Sequence, residues 1–454
     1  MIKKILLILI SVLLTAVPVH ANSGNQITVN LENGDGVDSP PDITANAAVI
    51  INMQTGSVIY EKNGSRSVYP ASAVKVMTAL LVVEHVEDAS NDVTLDTQVV
   101  TSRTVVNTRR GLNINMLEGE IFTVEDLLNA ILLHGANDAC IAIAELIAGS
   151  EAAFVERMNA RARELGALNT VFTNSHGLHC PNMVTTALDT AKIALHASAM
   201  PLIMYISSAT EYEIPATNRT ANTRTLLNRN HFVSRAHNPR HFYEGARGMN
   251  VGSTDEGGNI LITVAQQPNN IAYLCVIMGA TSTYSAALGI HTPNSFDDAR
   301  RLLDWAFMIY SYRTVLRRME HTWTVRVELA ANKDEVTLVP DEDIRLLLPR
   351  NINIEDEIER IVSVPQENLI APIDPGQVLG MVSVMHRGEL VGSARLLAVS
   401  GVDRSNVLYI LHQIRIIVAR PWFIASVIIF TVLFAVYIAV SLTRRNRRER
   451  KRFY

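Results

Sequence analysis

Between Tyr69 and Glu84 the chain reads YPASAVKVMTALLVVE, and the rest of the sequence is best understood outward from this stretch. Pro70 suits a helix entrance, and the residues from Ser72 to about Val86 are predicted to form one long helix. Most of its residues are apolar. Ser72 and Lys75 stand three residues apart, so a helix carries the hydroxyl and the amine on one face. A serine hydroxyl is a poor nucleophile until a neighbouring base takes its proton. A lysine can be that base only when burial lowers its pKa, because desolvation penalises the ammonium form. Val74, Val76 and Met77 provide such surroundings. Backbone N–H groups at the helix entrance add a place for an oxyanion. Ser-x-x-Lys taken alone is common, and a helix-capping serine is the ordinary reading.

Around this helix the pattern is strands, then helices, then strands. AAVIINMQTGSVIYEKN (47–63) alternates as two β runs about Gln54-Thr55-Gly56. Leu127 to Ile147 reads as two helices interrupted near His134-Gly135, and Glu151 to Leu165 as a further amphipathic helix. Thr186 to Ala199 is another helix. Met249–Thr254, Asn259–Gln266 and Ala272–Gly279 read as successive strands of one sheet, and Ser295–Tyr312 as a closing helix. This order implies an α/β (α+β) domain with a mainly antiparallel sheet, assigned to 43–315. From Thr322 short alternating runs divided by turn residues predict a small all-β domain over 320–400, with no evident catalytic constellation.

The two ends speak of export. Residues 1–21 carry Lys3 and Lys4, an apolar run, and small residues up to Ala21, the layout of a signal peptide. A polar leader (22–42) follows. Near the other end, a semi-amphipathic linker (401–420) leads to an uncharged segment, 421–443, long enough to cross a bilayer as a transmembrane helix. The tail, 444–454, holds six arginines and Lys451 against Glu449, and by the positive-inside rule it is cytoplasmic. The expected location is therefore the cell membrane, single-pass, with the body outside the cytoplasm. The formal net charge is −4, and with the basic tail set apart the body is clearly acidic. Such a body is not expected to bind nucleic acid. Three cysteines, Cys140, Cys180 and Cys275, are too few for a disulfide framework.

The stretch 69–84 resembles the first motif of the low-molecular-weight penicillin-binding proteins, the serine D-Ala-D-Ala carboxypeptidases. Those proteins share a transpeptidase fold with the serine β-lactamases and carry three motifs, S-x-x-K, S-x-N and K-T-G. Residues 47–63 look like the family's opening hairpin, 111–145 its second-motif region, and 154–189 the stretch after it. GMNVGSTDEGGNILITVA (248–265) falls where the third motif belongs, and 371–398 is similar to the family's C-terminal β domain. The resemblance implies Ser72 as nucleophile, Lys75 as base and Asn137 as a further catalytic residue. Asn250, Gly252, Ser253 and Thr254 would form the substrate-binding strand, with the Ser253 N–H completing the oxyanion pocket. It implies peptidoglycan stem peptides as substrate, β-lactams as inhibitors, and no metal or organic cofactor.

Two departures stand out. The second motif is Gly135-Ala136-Asn137, without the serine whose hydroxyl relays protons in the family. The third is Asn250-Val251-Gly252, without the lysine that places positive charge near the substrate carboxylate, and without the threonine. Arg247, an odd offset along the strand, is not expected to replace that lysine. Two readings follow from this: a carboxypeptidase that trims terminal D-Ala through an acyl-serine, or a weakened relative that binds wall peptides without turnover. The β domain and membrane anchor weigh against a β-lactamase. Three other signals are discounted. His176-Gly177-Leu178-His179-Cys180 fits no closed zinc site. His231, His237 and His241 are expected on a polar surface loop. Cys140, one turn beyond Asn137, reads as a small core residue.

Overall fold

The computed structural model describes residues 39–450 except 286–289, 321, 365–368 and 387; the expected signal peptide, most of the leader and the last four tail residues lie outside the described residues. The chain divides into two compact units, one ending at Ile309 and one beginning at Tyr310.

In the first unit, β1 (Ala47–Asn52) and β2 (Val58–Lys62) form the expected hairpin. The polypeptide then makes a 3₁₀ turn, Ala71–Ala73, and enters α1 (Val74–Glu87). Nine residues from Val74 to Val83, Lys75 among them, are buried. Next come α2 (Asn137–Ala148), α3 (Glu151–Glu164) and α4 (Ala187–Ser198). Three long strands follow, β3 (Ala246–Thr254), β4 (Gly258–Gln266) and β5 (Ala272–Ala280), and then α5 (Ser295–Ile309). The sheet order is β2-β1-β5-β4-β3, with every neighbour antiparallel. Central β5 is buried along its whole length, the continuous apolar run of a strand covered on both faces. Strand β3 lies at the edge, with one β neighbour.

The closing helix was expected to reach Tyr312; it stops at Ile309, and Tyr310–Leu316 is a strand of the second unit. Aromatic and β-branched residues there (Tyr310, Tyr312, Thr314, Val315) favour a strand, and Ile344–Pro349 pairs with it, so the first unit ends at Ile309 rather than at 315. The remainder of the second unit is a six-stranded sheet with its own core, including Val327, Leu338, Val382, Val384 and Leu396. After it come two exposed helices, Asn406–Val418 and Pro421–Arg450. The stretch Pro421–Leu442 is 22 residues, long and apolar enough to cross a membrane, and none of it is buried.

Two of the three histidines are a second correction, whereas His237 is exposed as expected. His241 is buried, and His231 and His241 stack on one another and on Phe296. Nδ1 of both rings and Nε2 of His241 are buried without hydrogen-bond partners. The polar composition of the loop misled because His231, His241 and Phe232 pack against Phe296. Burial lowers both pKa values; His241 and Arg229 add to this at His231, whereas at His241 Asp297 opposes it and Arg240 and Arg300 assist. Both rings thus hold protons less tightly in the folded protein than in the unfolded chain, whose imidazoles titrate near pH 6.5. Stability should be complete above that pH and fall as pH drops below it. Urea midpoints between pH 7.5 and 5 measure this; the variant His231→Phe/His241→Phe is expected to flatten the profile.

Candidate active site

The 3₁₀ turn carries Ser72 to the surface of the core while its neighbours Ala71 and Ala73 are buried. Ala71 has a left-handed φ of 46°, an uncommon state for a residue with a side chain, immediately before the serine. One turn further on, Lys75 is 2% exposed, and Nζ donates to the carbonyl oxygen of His176 at 2.5 Å. Thr78, the next residue on that face, donates to the Ser175 carbonyl at 2.6 Å. The loop 174–178 is therefore strapped to α1 by two side chains. It is fastened on its other side by Glu151, which accepts from the Ser175 N–H and hydroxyl, and by Asn174, whose Oδ1 accepts from Gly177 N–H. The histidine-glycine-leucine run that resembles a metal motif thus serves as a clamp on the lysine.

Burial lowers the Lys75 pKa to about 8; the charge of Arg229 pushes the same way and Cys140 opposes. A substantial fraction of the amine is unprotonated near neutrality, as a general base needs. Ser72 and Lys75 are not hydrogen-bonded to one another: the amine is engaged by His176. Catalytic hydrogen bonds are often long in the free enzyme and tighten on substrate binding. Acylation of Ser72 is expected to rise with pH through an apparent pKa near 8, since Lys75 must be neutral to accept the proton. The pH profile of the second-order rate for a labelled penicillin measures it, and a flat profile from pH 6 to 9 would contradict this role.

Asn137 opens α2, its backbone N–H bonded to Leu112 O at 2.8 Å and its Nδ2 donating to Arg110 O at 2.7 Å. Next to it, Asp138 accepts from the Ile114 and Met116 N–H groups, so α2 holds the 110–116 loop in place. Cys140, one turn on, is buried beside Lys75, and burial raises its pKa to about 12, leaving a neutral thiol. This links Asn137's helix to the lysine. Two residues before Asn137, Gly135 ends a π turn (Ala130–His134) with φ 79°. Its Cβ would meet only Leu112 at 3.7 Å, so backbone conformation rather than space disfavours the family serine there.

Edge strand β3 completes the arrangement. A Cβ built on Gly252 would lie 2.2 Å from Ser72 Oγ, so the bare backbone of this strand is in contact with the hydroxyl. Asn250 is 2% exposed, with Oδ1 buried and unpaired. Ser253 is exposed, and Thr254 Oγ1 accepts from Gly257 N–H at 2.9 Å, shaping the turn into β4. A register irregularity separates Arg247 from Asn250, and Arg247 lines a different cleft with Tyr243, Gln266 and Asp304. The residue that sequence reasoning passed over is Arg229, whose charge reaches Lys75 and His134. It has no motif of its own; the Asn228-Arg229-Asn230 triplet, an arginine between two amides in a polar loop, was the available signal.

Residues 35–282 match the family model described as D-alanyl-D-alanine carboxypeptidase, and 311–404 that described as penicillin-binding protein 5, C-terminal domain. The chain is 29% identical over 370 residues to the D-alanyl-D-alanine carboxypeptidase DacF of Bacillus subtilis, covering 81% of this chain and 88% of the relative. With DacC of Escherichia coli it shares 26% over 374 residues, 81% and 86% of the two chains. Among solved structures it is similar to penicillin-binding protein 5 from Haemophilus influenzae, with TM-score 0.58 and 26% identity over 81% of this chain and 99% of that one.

Proposed function

This chain belongs to the serine-type D-alanyl-D-alanine carboxypeptidase family, and on that premise we propose that it removes the terminal D-Ala of peptidoglycan pentapeptide stems through an acyl-Ser72 intermediate. The observation that carries the reading is the clamped Lys75, buried and with a depressed pKa one helical turn from Ser72. Lys75 takes the Ser72 proton as Oγ attacks the carbonyl of the penultimate D-Ala. The tetrahedral oxyanion sits between the Ser72 and Ser253 N–H groups. The peptide C–N bond breaks, the departing D-Ala nitrogen receives a proton from Lys75, and water then hydrolyses the ester. Asn137 positions the substrate. Strand β3, open along one edge, suits an extended peptide laid beside it, and Asn250, Gly252, Ser253 and Thr254 line that edge.

The same reading extends to β-lactams, which would acylate Ser72 as substrate mimics. It extends also to location: the helix Pro421–Leu442 spans the membrane, the basic tail faces the cytoplasm, and both folded units lie outside. The domain limits follow as 1–21 for the signal, 22–42 for the leader and 421–443 for the span. Incubating the purified chain with a labelled penicillin and with a D-Ala-D-Ala peptide tests the proposal. A covalent adduct mapped to the peptide containing Ser72, together with released D-Ala, is the expected result. Peptide binding with neither adduct nor release would mark the chain as a wall-binding scaffold.

A further inference from the structure

The first unit holds a half-buried arginine with no anion. The guanidinium of Arg229 makes no hydrogen bond or ion pair among the described residues, and its Nη1 is buried without a partner. Burial lowers its pKa, the response of a cation short of compensation. The backbone around it is firmly built. Arg229 N–H donates to Leu133 O at 3.1 Å, beside the π turn that leads to Gly135 and Asn137. Asn228 Nδ2 donates to the carbonyls of Ser207 and Ala209, and Asn230 Nδ2 reaches Thr263 Oγ1, which in turn donates to Arg247 O on β3. Arg229 is thus fixed between the second-motif turn and the third-motif strand. On that strand Asn250 replaces a lysine, and its Oδ1 is a second buried atom without a partner. Arg229 also lies near enough to lower the proton affinity of Lys75.

A half-buried guanidinium without a counter-ion, in the positive field that also reaches the base, suits an anionic ligand. The substrate of this family carries one by definition: cleavage of a C-terminal residue requires a free carboxylate next to the scissile bond. We infer that Arg229 is the substrate-binding cation of this protein, receiving the terminal carboxylate of the D-Ala-D-Ala stem in place of the absent lysine at position 250. The inference rests on the carboxypeptidase reading for the identity of the ligand. A guanidinium suits the task, since its fork of donors matches a planar carboxylate. Asn250 then contributes a neutral hydrogen bond through its Nδ2.

Binding and turnover separate the two ideas. In a Ser72→Ala background, calorimetric titration with a peptide ending in D-Ala-D-Ala is compared with titration of its C-terminal amide. Arg229→Gln is expected to weaken binding of the acid roughly 10- to 100-fold and to leave binding of the amide within about threefold. Arg229→Lys should recover part of the loss. With Ser72 present, Arg229→Gln should also move the rising limb of penicillin acylation to higher pH, because Lys75 loses a neighbouring positive charge. Thermal unfolding of each variant reports whether it folds. Equal weakening of acid and amide, or no weakening of either, overturns the role of Arg229. Failure of the wild type to form an acyl-enzyme overturns the catalytic reading alone, since the titration does not depend on turnover.

Discussion

Ser72→Ala, Lys75→Met and the double variant are expected to lose nearly the same activity, each by roughly 10⁴-fold or more in the rate of penicillin acylation and D-Ala release. The reason is that nucleophile and base act on one proton. Without the hydroxyl there is nothing for the amine to activate, and without the amine the hydroxyl keeps its proton at neutral pH. Removing the second member of such a pair therefore adds little, and multiplicative losses would mean the two side chains contribute separately. The variants should fold. Ser72 makes no side-chain hydrogen bond, and methionine replaces the buried Lys75 stem with a side chain of similar length while removing an ionisable group from the core. Circular dichroism and thermal unfolding check this. In Lys75→Met the pH dependence near 8 should vanish with the activity, and its survival would assign the limb to another group.

The second large effect is expected from Gly252→Ala, a change of one methyl group. That methyl would lie 2.2 Å from Ser72 Oγ and 2.5 Å from Ser72 Cβ, far inside van der Waals contact. Neither side yields readily. Ser72 belongs to a turn whose neighbours are buried, and Gly252 is paired with Ile260 in the sheet. Something must move by an ångström or more, and a displacement of that size between reacting groups costs about 10²-fold or more in rate. The loss should appear mainly as slower acylation in the variant, with the unfolding transition lowered only modestly because the contact is at the sheet edge. Acylation at the wild-type rate would mean that the serine does not react from the position seen here.

The acid-labile histidine stack and the arginine at the cleft share a physical theme with Lys75. Each is a basic group taken out of water without a carboxylate in contact, and each has its proton affinity lowered mainly by that burial. Natural folds seldom keep such groups unless they are used or tolerated at the cost of some stability. For Lys75 the use is proton transfer. For Arg229 it is the proposed carboxylate. The structure offers no comparable use for His231 and His241, which sit among Phe232, Phe296 and Tyr243.

Much of this protein was legible without coordinates. The apolar run after Ser72 marked a long helix, and the spacing of Ser72 and Lys75 put both on one face of it. Two β-rich runs about Gln54-Thr55-Gly56 marked β1 and β2, and β3 to β5 read as successive strands of one sheet. These features are local: they depend on side chains within a few residues and on the fixed periods of helix and strand. Other features depended on segments far apart in the chain. The carbonyl that holds the lysine comes from residue 176, the backbone against the serine from residue 252, and the spare cation from residue 229. Tyr310–Tyr312 looked helical until Ile344–Pro349 paired with the strand Tyr310–Leu316. His241 looked polar until Phe296 packed on it. Periodicity along the chain sets which face a residue occupies, but what stands opposite that face is chosen only when the chain closes on itself, and at this site it is the opposing group that decides charge, contact and reactivity.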